Sequence, residues 1–197
     1  MTTSRDGLLK ILHLEETEPV LKYSSKRSFF VCENGVSCSS LLNDNSLALG
    51  TFDNQILLFS FSTGTNVLSF TAHDNCLSSL VVAKDTLFSA SHDTTVKVWD
   101  LRKRNFGDSP EIFYDHEDMV LSLDVNENYV ASLDVLGTLL LRDVRKPSDI
   151  LRTIEVTDDR EEITGSSRVC FNKKDGEEVF VSWNNRMGLF NALTGEE

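Results

Sequence analysis

Nothing in this chain approaches the run of about 18 apolar residues that a membrane-crossing helix needs. The opening residues, 1–10, carry no apolar stretch of signal-peptide length. No Asn-x-Ser/Thr glycosylation acceptor occurs anywhere. Together these absences lead us to expect a cytoplasmic protein with no direct membrane insertion. Basic charge is scarce: 19 Lys and Arg stand against 31 Asp and Glu, for a formal net charge of −12. Such a surface repels phosphate backbones and anionic headgroups, which argues against nucleic acid as a partner. Cysteine is sparse too. Cys32, Cys38, Cys76 and Cys170 form no C-x-x-C pair and are too thin for a secreted disulfide framework, so four reduced, mostly buried thiols are expected. His13, His73, His92 and His116 do not join them at zinc spacing. The glycines make neither a G-x-G-x-x-G nor a P-loop. No metal or cofactor is therefore expected.

What the chain does have is an internal repeat. The segment 89–100, SASHDTTVKVWD, ends an alternating strand in a Trp-Asp pair. Slid along the sequence without gaps, it matches SRDGLLKIL (4–12), TFDNQILLFS (51–60), SLDVLGTLLLRD (132–143) and SWNNRMGLFN (182–191). The residues in the place of Trp99 are Leu12, Phe59, Arg142 and Phe190, at spacings of 47, 40, 43 and 48 residues. Each unit holds other short apolar runs of strand length. In one they fall at 77–82, 86–89, 95–99 and 111–114, in the next at 119–125, 129–132, 138–142 and 150–154, with turn-forming residues between them. Residues 119–125 put an apolar side chain at every second position, the strand period. No stretch combines helical length with a 3.6-residue stripe. The chain reads as all-β, built from small four-stranded antiparallel sheets.

One unit carries a polar constellation: His73 before the first strand, Ser89 or Ser91 in the second, Asp93 in the turn and Trp99 in the third. With the period, this resembles the WD40 β-propeller family and its hydrogen-bonded Trp–Ser/Thr–His–Asp tetrad. A buried Asp is costly unless its charge is met, and a chain of donors from indole to hydroxyl to imidazole to carboxylate meets it. The same residue types could suggest a Ser-His-Asp catalytic triad, but within a repeat a structural role is expected. The other units look degenerate. His116 is followed by Leu136 at the turn-Asp position and Arg142 at the Trp position. Asp53 goes with Phe59, and Asn184 with Phe190. One complete network is therefore expected, with the remaining units held by packing alone. The acidic pairs Glu15-Glu16, Asp158-Asp159 and Glu161-Glu162 read as solvated loops. Arg102-Lys103-Arg104 reads as an exposed loop or as a docking patch for an acidic peptide. No catalytic residues are assigned, and the chain is expected not to be an enzyme.

The residue before each turn position would sit on a rim of the propeller: Arg5, Phe52, His92, Val135 and Trp183. Aromatic and Arg side chains are common interface anchors, so Phe52 and Trp183 stand out, either as partner contacts or as packing between units. Strand counting gives a half blade at 8–23, full blades at 36–70, 76–114 and 120–155, and a partial blade at 167–191. That is an incomplete propeller of four to five blades, and open sheet faces and edges suggest a fragment, an isoform or association with other chains.

The wording of LLKILHLEET (8–17), SCSSLL (37–42), FDNQI (52–56) and SASHDTTVKVWD (89–100) is further similar to the carboxy-terminal WD repeats of BEACH-domain proteins, from about Ser4 to Asp143. That resemblance implies an adaptor whose repeats dock a receptor's cytoplasmic segment. In that family a PH–BEACH region beside the repeats, which this sequence does not contain, links them to membranes and sphingomyelinase activation. A recruiting or assembly subunit, of ubiquitin-ligase or coat type, would show the same repeats. An enzyme would need convergent titratable groups at the channel, where only His92 and Arg5 are visible.

Overall fold

The computed structural model describes residues 2–17, 20–103, 110–157, 162–163, 166–172, 174 and 176–196; the side chains of 13–17, 20–26 and 147 lie outside the description. His13, Glu15 and Glu16 therefore have no described side chain. Arg104, Asp158, Asp159 and Glu161 lie outside the described residues.

The described residues hold strands and turns and no α-helix. Among the described residues, eighteen strands make five antiparallel sheets. The first sheet has three strands, β1 (Thr2–Thr3), β2 (Leu8–Thr17) and β3 (Val20–Phe30). The second has β4 (Val36–Asn43), β5 (Ser46–Thr51), β6 (Gln55–Ser60) and β7 (Thr65–Thr71). The third has β8 (Leu77–Ala83), β9 (Thr86–Ser91), β10 (Val96–Asp100) and β11 (Glu111–Phe113). The fourth has β12 (Val120–Val125), β13 (Tyr129–Asp134), β14 (Thr138–Asp143) and β15 (Lys146–Glu155). The fifth has three, β16 (Arg168–Phe171), β17 (Glu178–Trp183) and β18 (Arg186–Asn191). Each sheet is a meander in chain order, and the first strands β4, β8, β12 and β16 lie side by side. This is an incomplete β-propeller.

The inner strands explain why alternation is weak in the sequence. A sheet with neighbours on both sides buries both of its faces, so its strands read as continuous apolar or small-residue runs. In β5 every residue from Leu47 to Thr51 is buried, and in β13 every residue from Val130 to Asp134. Four apolar clusters result, each shared by consecutive sheets. Leu9, Leu49 and Phe59 join the first to the second, and Ile56, Leu87 and Trp99 the second to the third. Phe88, Val96 and Leu123 join the third to the fourth, and Leu139, Val181 and Phe190 the fourth to the fifth.

One contact recurs at every joint. Phe29, Phe70, Phe113 and Ile154 occupy the same register in the last strands of the first four sheets, opposite Leu9, Ile56, Val96 and Leu139. Each serves the Trp99-equivalent residue of the next sheet. The Phe29 and Phe59 rings lie 5.1 Å apart at 60°, and Phe70 and Trp99 5.1 Å apart at 62°. The Arg142 guanidinium sits 5.0 Å over Phe113, and Ile154 shares a cluster with Phe190. Tilted aromatic pairs contribute beyond their buried area. Truncating Phe70 to Ala is expected to cost about 3 kcal/mol in urea unfolding. An unchanged midpoint would show that this joint is not held there.

Candidate functional site

The rim of interest is formed by the turns between second and third strands and by the links between sheets. In the turns the backbone is alike: Gly7, Asn54, Thr94 and Gly137 all take left-handed φ, at 72°, 69°, 71° and 82°. This local twist aims the preceding residues at the link from the previous sheet.

In the third sheet the polar chain closes. Trp99 Nε1 donates to Ser89 Oγ at 2.8 Å, and Ser89 Oγ lies 2.7 Å from His73 Nε2. His73 Nδ1 lies 2.8 Å from Asp93 Oδ2, which also accepts from the Asp74 N–H at 2.9 Å. Thr95 donates its hydroxyl and its N–H to Asp93 Oδ1, at 2.7 and 3.0 Å. The directions run consistently from indole through hydroxyl to imidazole to carboxylate when His73 is neutral with its proton on Nδ1, the tautomer the network implies. Burial holds the His73 pKa below its ordinary value, against the pull of Asp93. Burial alone would raise the Asp93 carboxyl, but the bonds from His73 and Thr95 outweigh it and hold it well below the usual carboxylate range. Ser91 stands outside this chain. Its hydroxyl donates to the carbonyls of Asn75 and Cys76, both at 3.0 Å.

A second network, in the fourth sheet, corrects the expectation of one. His116 Nε2 lies 2.7 Å from Ser132 Oγ, and its Nδ1 lies 2.9 Å from Asp134 Oδ2. The N–H groups of Leu136 and Thr138 donate to Asp134 Oδ1 at 3.0 and 2.9 Å. The carboxylate has moved two residues upstream, from the turn to the place of Ser91. Because side chains share a face at every second strand position, it still faces the histidine. A spacing was the overlooked signal: His73 to Ser89 and His116 to Ser132 are both 16 residues. Arg142, in the place of the Trp, is buried and pairs with Asp115 while covering Phe113.

The second and fifth sheets dispense with the network altogether. Cys32 and Thr157 stand in the histidine's place, Leu49 and Val181 in the serine's, and Phe59 and Phe190 in the Trp's. Asp53 is bonded instead to Asn34 and Gln55, at 2.9 and 3.1 Å.

The rim candidates separate into two groups. Arg5 and Phe52 are brought together, the guanidinium 5.4 Å over the ring, and Phe52 is 38% exposed. His92 is half-buried beside them in the ring order, its N–H bonded to the Cys76 carbonyl at 3.0 Å. Val135 and Trp183 are not on the surface. At 9% and 6% exposure they belong to the core between the fourth and fifth sheets. The physical reason at Trp183 is a shorter turn. Trp183 pairs directly with Arg186, so the gap-free alignment slips by one residue and Trp183 falls at the place of Ser91 rather than His92. Gly188 makes room for it, since a Cβ there would lie 3.0 Å from the indole.

The cysteines form no disulfide among the described residues, and they are half-buried at 32, 38 and 76 and exposed at 170, more open than expected. Arg102 is committed to Asp100 at 2.8 Å. Among the described residues no cluster of His, Cys, Asp and Glu is placed to hold a metal ion, and no helix is long and apolar enough to cross a membrane.

No family model matches the chain. It is similar to the WD repeat-containing protein pop1 of Schizosaccharomyces pombe (strain 972 / ATCC 24843), 26% identical over 92 residues, covering 47% of this chain and 12% of that protein. It is also similar to Periodic tryptophan protein 2 of Arabidopsis thaliana, 35% identical over 71 residues, covering 34% of this chain and 8% of that protein. The chain thus spans a small part of the length of these relatives. Its fold superposes on a chain in the crystal structure of a mitotic checkpoint complex with a TM-score of 0.76 at 14% identity, covering 96% of this chain and 56% of that one. The fold is an incomplete β-propeller, and over part of its length the chain is similar to WD-repeat proteins.

Two outcomes are expected. Asp134→Ala strands one buried donor, His116 Nδ1, and two part-buried N–H groups, and should cost about 3 kcal/mol in urea unfolding, against little change for the exposed Asp44→Ala. With pH, stability is full above about 6.5. It falls below that value, because the unfolded chain protonates His73 where the folded one resists, and falls again below about 4, where unfolded Asp93 binds a proton that the folded carboxylate refuses. Unfolding midpoints measured from pH 8 to 3 should show both steps, and Asp93→Asn should shrink the lower one, which Asp53, Asp100 and Asp143 share because their folded carboxyls are also held low.

Proposed function

We propose that this chain is a non-catalytic protein-interaction scaffold whose rim loops dock a basic segment of a protein partner. The observation that carries the reading is the chemistry of that rim. Exposed Asp6, Glu33, Asp74, Glu117 and Glu162 lie in the described turns and links, and Arg5 is the Lys or Arg among them; Asp115 beside them is paired with Arg142. Arg5 is itself stacked on the exposed Phe52. Rigid sheets with paired polar networks hold these loops, so little order need be lost on binding. Acidic loops around an aromatic suit Lys and Arg side chains, which gain both ion pairing and cation–π contact.

The motif resemblance supports a finer reading: a BEACH–WD40 adaptor, similar to the factor associated with neutral sphingomyelinase activation, acting in receptor signalling or membrane traffic in the cytoplasm. On that reading the basic segment belongs to a receptor's cytoplasmic tail and the PH–BEACH region acts beside the repeats.

The test uses fluorescein-labelled Arg- and Lys-rich decapeptides and acidic counterparts, titrated at 50 and 200 mM salt. The basic set should bind, more weakly at the higher salt. Asp74→Lys with Glu117→Lys, and separately Phe52→Ala, should each weaken binding at least tenfold at unchanged melting temperature. Trp183→Ala should instead lower stability by about 3 kcal/mol, because it opens the core. Equal binding of acidic and basic peptides would overturn the proposal.

A further inference from the structure

At the foot of the sheets, opposite the rim, one bond repeats. The residue after each third strand gives its N–H to a carbonyl in the turn between first and second strands. Phe61 bonds to Asn45 at 2.9 Å, Leu101 to Asp85 at 2.8 Å and Val144 to Asn128 at 2.8 Å. Each bond fixes an apolar side chain at the foot of its sheet, and clefts open beside two of them. Leu101, with Leu58 and Val67, lines a cavity of about 320 Å³ between the second and third sheets. Val144, with Val125 and Phe171, lines one of about 460 Å³ between the third and fourth. All three sheets have four strands, so neither cleft is the place of a further strand.

Lys84 stands between the two clefts and lines both. It lies in the two-residue turn from β8 to β9 with φ of 54°, a left-handed backbone that Gly and Asn adopt at less cost. The other described non-glycine residues with this backbone, Asn54, Thr94 and Asn184, are all in rim turns. Among the described residues no carboxylate pairs with the Lys84 ammonium. Exposed carboxylates flank it, Asp85 in one cleft and Glu127 in the other. Asp124, also in the wider cleft, is committed to the Phe171 N–H at 2.8 Å. The foot of the third sheet therefore offers a free cation with an apolar hollow and a negative charge on either side.

We propose that this foot is a docking site for a partner segment with two apolar side chains three residues apart and a carboxylate between them. The apolar side chains enter the two clefts and the carboxylate pairs with Lys84. Stacked sheets lie about 10 Å apart, which sets the spacing of the clefts. A polyproline II segment brings residues i and i+3 to one face about 9 Å apart and so reaches both. Asp85 and Glu127 repel a carboxylate at either end, which holds the acidic residue at the centre and rejects a uniformly acidic segment. Asparagine would suit the backbone at 84 but supplies no cation. The site is at the opposite end of the sheets from the rim loops and does not depend on the reading given to them.

The probe is the fluorescein-labelled hexapeptide Ser-Phe-Glu-Pro-Leu-Ser, whose proline favours polyproline II, titrated with the 197-residue chain. Saturable binding is expected below about 1 mM. The same peptide with Lys in place of Glu should bind at least tenfold more weakly. Lys84→Asn should weaken binding of the parent peptide at least tenfold at an equal or higher melting temperature. Val67→Asp, at a position 60% exposed, should weaken it similarly with melting unchanged. Asp74→Lys with Glu117→Lys, at the rim, should leave it unaltered. No saturation by about 1 mM, equal binding of the Lys peptide, full binding by either foot variant, or loss of binding in the rim variant would each overturn the proposal.

Discussion

The stack depends on a contact between the fourth strand of one sheet and the third strand of the next. A four-stranded sheet of this size cannot bury its own apolar side chains, and gains stability only when a neighbour covers each face. Phe29, Phe70, Phe113 and Ile154 stand at one register and meet Phe59, Trp99, Arg142 and Phe190. Chemistry varies from ring on ring to cation on ring, while position does not. This constancy of place is what lets the repeat drift so far in sequence. A residue is acceptable there if it fills the space under the preceding sheet.

The polar networks follow the same logic in another form. A buried histidine is tolerable only when both nitrogens are met, so serine, histidine and carboxylate are kept or dropped together. The third and fourth sheets keep them, and the second and fifth replace them with Cys32 or Thr157 and with Leu49 or Val181. Moving the carboxylate from 93 to the place of 91 changes the strand position but not the face. The set therefore survives with Asp134 in it.

The repeat, the all-β architecture and the members of the third sheet's network were legible because period, strand alternation and residue type coincide there. The fourth sheet's network was not. A gap-free template placed Leu136 where a carboxylate was sought, although the spacing from His116 to Ser132 matches that from His73 to Ser89. Trp183 was misplaced for a related reason. A turn one residue shorter exchanges rim for core, and turn length leaves no mark on apolar periodicity. The role of Phe70 and its equivalents was hidden because their partners lie in another repeat and only stacking brings them together.

Arg142 gives the stack joints of unlike thermal character. Apolar contacts such as those of Phe59 and Phe190 draw on water's reluctance to hydrate hydrocarbon, a force that fades on cooling. The joint between the third and fourth sheets also draws on the Arg142–Asp115 ion pair, and the free-energy cost of stripping water from charges shrinks on warming. That joint therefore answers to temperature differently from those held by apolar contact alone.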